Sequence, residues 1–494
     1  MLKEGCMSES QNRRVAFKTL GCKLNQSETE SMATNFLSKG WNLVNFGENA
    51  DAIVLNSCTV TKNADRKSRS EMNRAMRMAT DTWPSPLLVF TGCHVDANFR
   101  KSEPIENRRL GDVHFQDDDN ILLVGNMNKA RIPGLVDAFF RGKTLNVRPV
   151  SAKRTTRTRA LIKVQDGCDN FCSFCIVPFV RGPGFSRGLD DCIAAIEEAV
   201  KAGFREMVLT GVNLSRWEQG NQTFTDLLEA ALASPGDFRL RLSSIEPDGV
   251  DERLIELMGH PKMANHLHLC LQSGSEKILR LMGRRYAASD FERIVELLRE
   301  QMPGINITTD VIVGFPGETE ADFADVLDFC ERLGFGHIHV FPYSVRDDTL
   351  AASMEEQIPE NEKIHRAARI REVSEATKRL YRSSLIGSKQ RVLVERISRR
   401  AGGEVIVSGL SSSYVPVRFM IPGNETGAGW VMQNRCEWGV GRGTWHMGDL
   451  SADIDTEFDV RWPRGDEEIR NRFFSVRIVD IEAGKNSVLL GELV

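Results

Sequence analysis

The sequence predicts an α/β protein in three parts: an N-terminal doubly wound parallel α/β domain, a central partial barrel of six βα units, and a C-terminal five-stranded β-barrel. Three observations carry this prediction. Strand-like and helix-like segments alternate from Arg14 to about Phe140 and again from Ala160 to about Leu385, which is the grammar of parallel sheets. After Gly387 the pattern changes to short strands separated by turns, which suits a small barrel. The chain has 494 residues, too many for one ordinary core.

In chain order, residues 1–13 are polar and read as a flexible tail. The first domain, 14–142, has candidate strands at Val15–Leu20, Ala52–Asn56, Leu87–Thr91 and Ile121–Val124, with candidate helices at Glu28–Lys39 and Ala64–Met78. Residues 143–158 lack periodicity and read as a linker whose basic residues, Lys153, Arg154 and Arg157, are either solvated or touch phosphates. Between 159 and 385 the strands are Leu161–Gln165, Glu206–Thr210, Arg239–Ser243, His268–Leu271, Ile307–Val313 and Gly336–Phe341. Helices such as Leu189–Ala202, Phe291–Gln301 and Glu320–Leu333 separate them, and Asn361–Leu385 is a long polar amphipathic helix. In 386–494 the short strands are Arg391–Arg396, Glu404–Ser408, Val415–Phe419, Phe473–Glu482 and Ser487–Glu492. The stretch from about 422 to 471 carries Trp430, Trp438, Trp445 and Trp462 and reads as an insertion in the barrel.

The apolar and charged fractions, 41% and 27%, are those of a soluble globular protein. No apolar run approaches the roughly 20 residues needed to span a bilayer, and the first residues lack a secretory apolar region. The expectation is a cytoplasmic protein with no membrane partner. Eleven cysteines are too sparse, and odd in number, for a disulfide scaffold, so clustered ones read as metal ligands or redox groups. A net charge of −4 gives no bulk attraction to nucleic acid; such binding would use local patches.

Cys168, Cys172 and Cys175 lie in one short loop after the first strand of the central domain. Three thiolates there can hold three irons of a cubane, which normally takes four cysteines, leaving one iron open. A zinc site usually wants four ligands from two paired knuckles, and no second such pair follows. At the rim of the same barrel, Asn213, Glu246, Gln272, Ser273 and Gly314 stand in small or polar stretches after successive strands. Such residues let a ligand approach closely and bind it.

A second trio is less obvious. The first three predicted strands of the N-terminal domain run into Leu20-Gly21-Cys22, Asn56-Ser57-Cys58 and Thr91-Gly92-Cys93. In a parallel sheet those ends lie on one edge, where ligands bind. The alternative is three unrelated buried thiols, since free cysteine is a common core residue. The functional reading is a second three-cysteine cluster, also with an open iron. Two such clusters in adjoining domains suggest a division of labour between them.

The spacing Cys168-x-x-x-Cys172-x-x-Cys175, with the aromatic Phe174 before the last cysteine, resembles the radical S-adenosylmethionine superfamily. That resemblance implies a [4Fe–4S] cluster whose open iron chelates S-adenosylmethionine, the source of a 5′-deoxyadenosyl radical. Lys18–Glu30, Gln165–Cys168, Arg241–Pro247 and Leu271–Ser275 resemble the methylthiotransferase family within it, over nearly the whole chain. Leu20-Gly21-Cys22 with Asn25, and Thr210–Asn213, are most similar to the branch acting on N6-threonylcarbamoyladenosine in tRNA. The isopentenyladenosine branch is the nearer rival and the ribosomal-protein aspartate branch the more distant; a rival of another class is an iron–sulfur electron carrier with an RNA-binding tail.

The family implies two [4Fe–4S] clusters, ligated by Cys22, Cys58, Cys93 and by Cys168, Cys172, Cys175. It implies one S-adenosylmethionine as methyl donor and another as radical source, with methylthiolation at C2 of the adenine beside the anticodon. The implied partners are a tRNA anticodon stem-loop, a reductant such as flavodoxin or ferredoxin, and a sulfur source. The terminal barrel resembles the RNA-binding TRAM module, with Lys389, Arg391, Arg396, Arg399, Arg400 and Arg418 as candidate phosphate contacts. A threonylcarbamoyl carboxylate calls for a forked cation, with Arg181, Arg187 and Arg346 the candidates. The chain departs from the family at Gly184, where a glutamate is usual, at Asp347-Asp348, and at Cys270, where proline is common. Cys6, Cys192, Cys270, Cys330 and Cys436 have no ligand spacing and read as structural or incidental.

Overall fold

Runs such as Ala52–Ser57 and Leu87–Gly92 are buried at every position, so they need cover on both faces, as the inner strands of a parallel sheet have. The computed structural model describes residues 13–82, 84–102, 113–115, 120–141, 158–399, 405–421, 469–482 and 488–494. The tail at 1–12, nearly all of the 143–158 linker, most of the insertion, Arg400, Cys6, Cys436 and the four insertion tryptophans lie outside these residues.

The N-terminal sheet contains β1 (Arg14–Thr19), β2 (Asn42–Val44), β3 (Ala52–Ser57), β4 (Leu87–Gly92), β5 (Val113–Phe115) and β6 (Ile121–Val124), in the order β2-β1-β3-β4-β6-β5. All pairs are parallel except β5 with β6. The helices are α1 (Lys23–Ser38), α2 (Lys62–Thr80), α3 (Cys93–Ser102) and α4 (Ile132–Phe140). Two apolar layers sandwich the sheet, one including Phe36, Trp41, Val54, Val89 and Val136, the other Ile53, Leu55, Ala75 and Phe90. All four expected strands are present; the two extra edge strands are three residues each.

The central strands β7 (Arg159–Lys163), β10 (Glu206–Thr210), β13 (Arg239–Leu242), β14 (His266–His268), β15 (Asn306–Val313) and β16 (His337–Pro342) form two parallel three-stranded sheets. Single bridges at Leu240–Met263 and Ile245–Leu269 link them, giving a six-stranded open barrel. Two small antiparallel ribbons decorate it, β8 (Gln165–Asp166) with β9 (Phe185–Ser186) and β11 (Glu218–Gln219) with β12 (Gln222–Thr223). The helices are α5 (Val177–Arg181), α6 (Leu189–Lys201), α7 (Phe224–Ala233), α8 (Glu252–Met258), α9 (Glu276–Leu281), α10 (Ala288–Gln301), α11 (Glu320–Leu333) and α12 (Glu360–Ser384). The largest core lies between strands and helices and includes Leu267, Ile307, Val311, Ile338, Phe323 and Ile370. Because strand side chains alternate, the residues between these face the barrel lumen: His266, His268, Thr308, Asp310, His337 and His339.

The last strands, β17 (Lys389–Arg399), β18 (Val405–Ser411), β19 (Pro416–Ile421), β20 (Phe473–Ile481) and β21 (Leu489–Leu493), close into a barrel in the order β17-β18-β19-β21-β20. The β18–β19 turn closes the floor of the central barrel. Its Tyr414 ring lies 4.5 Å from the Arg241 guanidinium and 4.9 Å from the His266 ring. Buried Glu206 sits between Arg239 and Arg241, and Arg239 donates onward to the Arg391 carbonyl at 2.8 Å.

Candidate functional site

Cys22, Cys58 and Cys93 follow the carboxyl ends of β1, β3 and β4. These strands are parallel neighbours, so the three thiols share one edge of the sheet. Gly21 has φ +104°, and a Cβ there would lie 2.8 Å from Cys58 Cβ and 3.0 Å from its Sγ; only glycine lets the Cys22 turn come so close. Asn25 Nδ2 donates to the carbonyls of Leu20 (2.8 Å) and Ser57 (3.0 Å), pinning two of the strand ends together. Ser68 Oγ accepts from the Cys58 amide at 3.0 Å and donates to its carbonyl at 2.7 Å. Burial pushes the Cys58 thiol up to about 12, with Cys93 adding to the rise.

Asp65 ties two of these loops to each other. It accepts from Thr59 Oγ1 at 2.5 Å and from His94 Nδ1 at 2.6 Å, the residues directly after Cys58 and Cys93. Burial alone would raise its pKa, but those hydrogen bonds outweigh it and bring the carboxyl to about 2. A carboxyl depressed in the folded state contributes stability above its unfolded value of about 3.9 and loses it as the pH falls through the folded value. Between about pH 4 and pH 2, wild type is therefore expected to lose stability that Asp65→Asn never has, a convergence that urea unfolding across that range would record.

The second trio lies in the loop between β8 and α5. Gly167, with φ +68°, packs so tightly that a Cβ would fall 1.9 Å from the Pro183 carbonyl oxygen. Gln165 anchors the loop: its Nε2 donates to the Gly167 carbonyl (2.8 Å), and its Oε1 accepts from the amides of Val212 and Asn213 (both 2.9 Å). Ser173 donates to the carbonyls of Met282 (3.0 Å) and Leu281 (2.8 Å), docking the loop on α9. Burial lifts the Cys175 thiol to about 12.

The two trios adjoin. Cys93 packs with Ile176 and Val180, the residues that follow Cys175 into α5, and Asn126 Nδ2 lies 3.8 Å from Cys93 Sγ while donating to the Val180 carbonyl at 2.8 Å. Among the described residues, neither trio brings its three sulfurs within 4.8 Å of one another.

The expected cofactor contacts fall around the Cys168 loop. Asn213 is 3% exposed, and both polar atoms of its side-chain amide are buried without a protein partner, a gap that a ligand's polar groups would fill. Glu246 pairs with Arg284, whose guanidinium donates to Cys172 Sγ at 3.4 Å. These residues line a cleft with Asn170, Asp248 and Tyr286. Arg284 and Tyr286 were not expected from the sequence; the Gly283-Arg284-Arg285-Tyr286 run just past α9 was the available signal. Phe174 packs edge-on against Phe315, with centroids 6.4 Å apart. Gln272 takes a φ of +67° as its backbone bridges to β15, and Ser273 is buried beside it. Gly314 serves packing: a Cβ there would lie 2.4 Å from the Lys363 side chain of α12.

One of the cation expectations, Arg181, needs correction. Arg181 is 3% exposed and its fork is already occupied, by Asp166 (2.7 Å), Asn25 (2.5 Å) and Glu28 (3.1 Å). It joins the central barrel to α1 and is not free for a substrate carboxylate. Arg346 donates to Thr59 Oγ1 at 2.6 Å, which ties it to the Cys58 loop. The Arg187 carbonyl accepts from Trp217 Nε1 at 3.0 Å. The carboxylate absent at Gly184 has a counterpart in Asp169, whose Oδ2 accepts from the Gly184 amide at 2.7 Å and would stand 2.9 Å from a Cβ there. On the terminal barrel, Arg391 pairs with Asp237 and covers the Phe473 ring, and Arg418 pairs with Glu482; Lys389, Arg396 and Arg399 are exposed. Cys192 and Cys330 are core residues.

No helix among the described residues is long and apolar enough to cross a membrane. The family model for the Radical SAM superfamily matches residues 162–330, and that for uncharacterized protein family UPF0004 matches residues 14–110. A threonylcarbamoyladenosine tRNA methylthiotransferase MtaB of Bacillus subtilis is 34% identical over 421 residues, 82% of this chain and 90% of its own length. The Aquifex aeolicus protein of the same name is 35% identical over 396 residues, 77% of this chain and 92% of its own. A tRNA-2-methylthio-N(6)-dimethylallyladenosine synthase of Acetivibrio thermocellus is 32% identical over 395 residues, 77% of this chain and 80% of its own. Matching at this level along most of its length, and carrying two cysteine trios at strand ends, the chain belongs to the methylthiotransferase family of radical S-adenosylmethionine enzymes, in the branch that includes the MtaB proteins.

Proposed function

We propose that this enzyme methylthiolates C2 of N6-threonylcarbamoyladenosine beside the anticodon of tRNA. The observation that carries the proposal is the junction itself: one trio of thiols gathered from three neighbouring strand ends of the N-terminal sheet and a second in a single loop of the open barrel, with Cys93 of the first packed on Ile176 and Val180 beyond the second. Cys168, Cys172 and Cys175 would hold one [4Fe–4S] cluster and Cys22, Cys58 and Cys93 the other. When bound, these clusters and S-adenosylmethionine supply the radical chemistry and the methylthio group. The chain's own residues position and shield. Gln165 locks the Cys168 loop to the end of β10, Arg284 places a positive charge on Cys172, and the free amide of Asn213 is poised for a cofactor. Asn25 and Asp65 hold the auxiliary loops in register.

The reading includes an anticodon stem-loop held by the exposed Lys389, Arg396 and Arg399 of the terminal barrel, a flavodoxin- or ferredoxin-type reductant, a sulfur source and a cytoplasmic setting. Mass spectrometry of tRNA nucleosides from a deletion strain tests it. The 2-methylthio form of threonylcarbamoyladenosine should vanish while its unthiolated parent accumulates. Loss of the dimethylallyl-type nucleoside instead would sink the substrate assignment.

A further inference from the structure

Three strands aim imidazole and carboxylate groups into the lumen of the central barrel. On β14, β15 and β16 the inward positions are His268, Asp310 and His339, and one ligand atom from each lies within 4.8 Å of the other two. This is the only such group of three among the described residues. His268 Nε2 is 3.4 Å from Asp310 Oδ1. Ligands bonded to one ion at about 2.1 Å stand roughly 3.0–3.5 Å apart, so that pair is already at ligating distance and His339 needs only a small side-chain adjustment.

The surroundings orient these groups as they do in metal sites. Thr308 Oγ1 lies 3.0 Å from His268 Nδ1. An Nδ1–H donated there would free Nε2 to bind a metal in place of its contact with Asp310. The Asp310 side chain keeps 28% of its surface accessible although it sits inside the barrel, so the trio opens onto a wet lumen. Two histidines and one carboxylate with open positions are a donor set for a divalent first-row metal.

We propose that His268, Asp310 and His339 form a site for one divalent first-row transition metal, separate from both cysteine trios, with its open positions facing the lumen. The site does not rest on the identity of the tRNA nucleoside, and its test requires no turnover. Mn(II) is the probe, because thiolates are poor ligands for it. The reconstituted holoenzyme is titrated anaerobically with Mn(II), and loss of the free-ion electron paramagnetic resonance signal counts bound metal. One Mn(II) per chain is expected for wild type, with affinity at least tenfold weaker in Asp310→Asn and in His339→Ala at unchanged iron content. Uptake that is absent, or equal in wild type and both variants, overturns the proposal. If the variants lose iron, Mn-edge anomalous diffraction from wild-type crystals decides: a peak bounded by the three side chains supports the site, and its absence at saturating Mn(II) refutes it.

Discussion

Cys172→Ala is expected to halve the iron of the anaerobically reconstituted enzyme, from about eight to about four atoms per chain, and to reduce reductive cleavage of S-adenosylmethionine to background. Cys58→Ala is expected to halve the iron as well, yet to keep cleaving S-adenosylmethionine while failing to form the methylthiolated nucleoside. The asymmetry follows from placement. Cys172 lies beside Arg284 and Glu246 in the cleft at the barrel rim, whereas Cys58 belongs to the neighbouring sheet edge. Iron assay with 5′-deoxyadenosine quantification separates the two outcomes. Equal loss of cleavage in both variants, with fold and iron of the other site retained, would mean that the division of labour is wrong.

Glu28→Gln should be strongly destabilising. Glu28 lies on α1 with only 7% of its side chain exposed and takes Lys129 at 2.5 Å, Lys163 at 2.8 Å and Arg181 at 3.1 Å. Burial would raise its pKa, but the three cations hold it well below the ordinary carboxyl range. Removing the anion leaves three crowded positive groups, two of them buried, and breaking such a buried set costs about 3–5 kcal/mol. Urea unfolding at pH 7 reads the loss. Glu197→Gln, which removes only an exposed pair with Lys201, should stay within about 0.5 kcal/mol. Since the Glu28 pKa is depressed in the folded state, its contribution is complete above about pH 4.3 and drains away below it. Lys163 and Arg181 come from the barrel domain, so the same variant is expected to loosen the junction between the cysteine trios.

Most of this architecture was legible from the chain. The inner strands declared themselves because a sequence such as Leu87–Gly92 is apolar enough to be buried throughout, and the cysteines stood at the ends of those runs. The edge strands β2 and β5 were missed because three residues carry no period. Helix α3 was missed because it begins on Cys93 itself, a residue read as a loop ligand. Arg181 misled for a different reason. A forked cation just past a cysteine loop looks available until folding brings Glu28, 153 positions away, onto it. The lumen trio was in plain view as alternating His-Leu-His and His-Ile-His within two strands, yet alternation alone does not say which face points inward. That came only from the register of β15 against β14 and β16.

Tyr414 sits on the floor of the central barrel under Arg241 and beside Arg159 and Lys23, while Glu206, Arg239 and the Arg391 carbonyl continue the contact outward. The terminal barrel is thus bolted to the catalytic one by its own turn and does not swing on a tether. If the outer strands grip a stem-loop as proposed, its target base would stand at a fixed height above the cleft, and the molecule would act as a gauge that passes over nucleosides at the wrong distance from the grip.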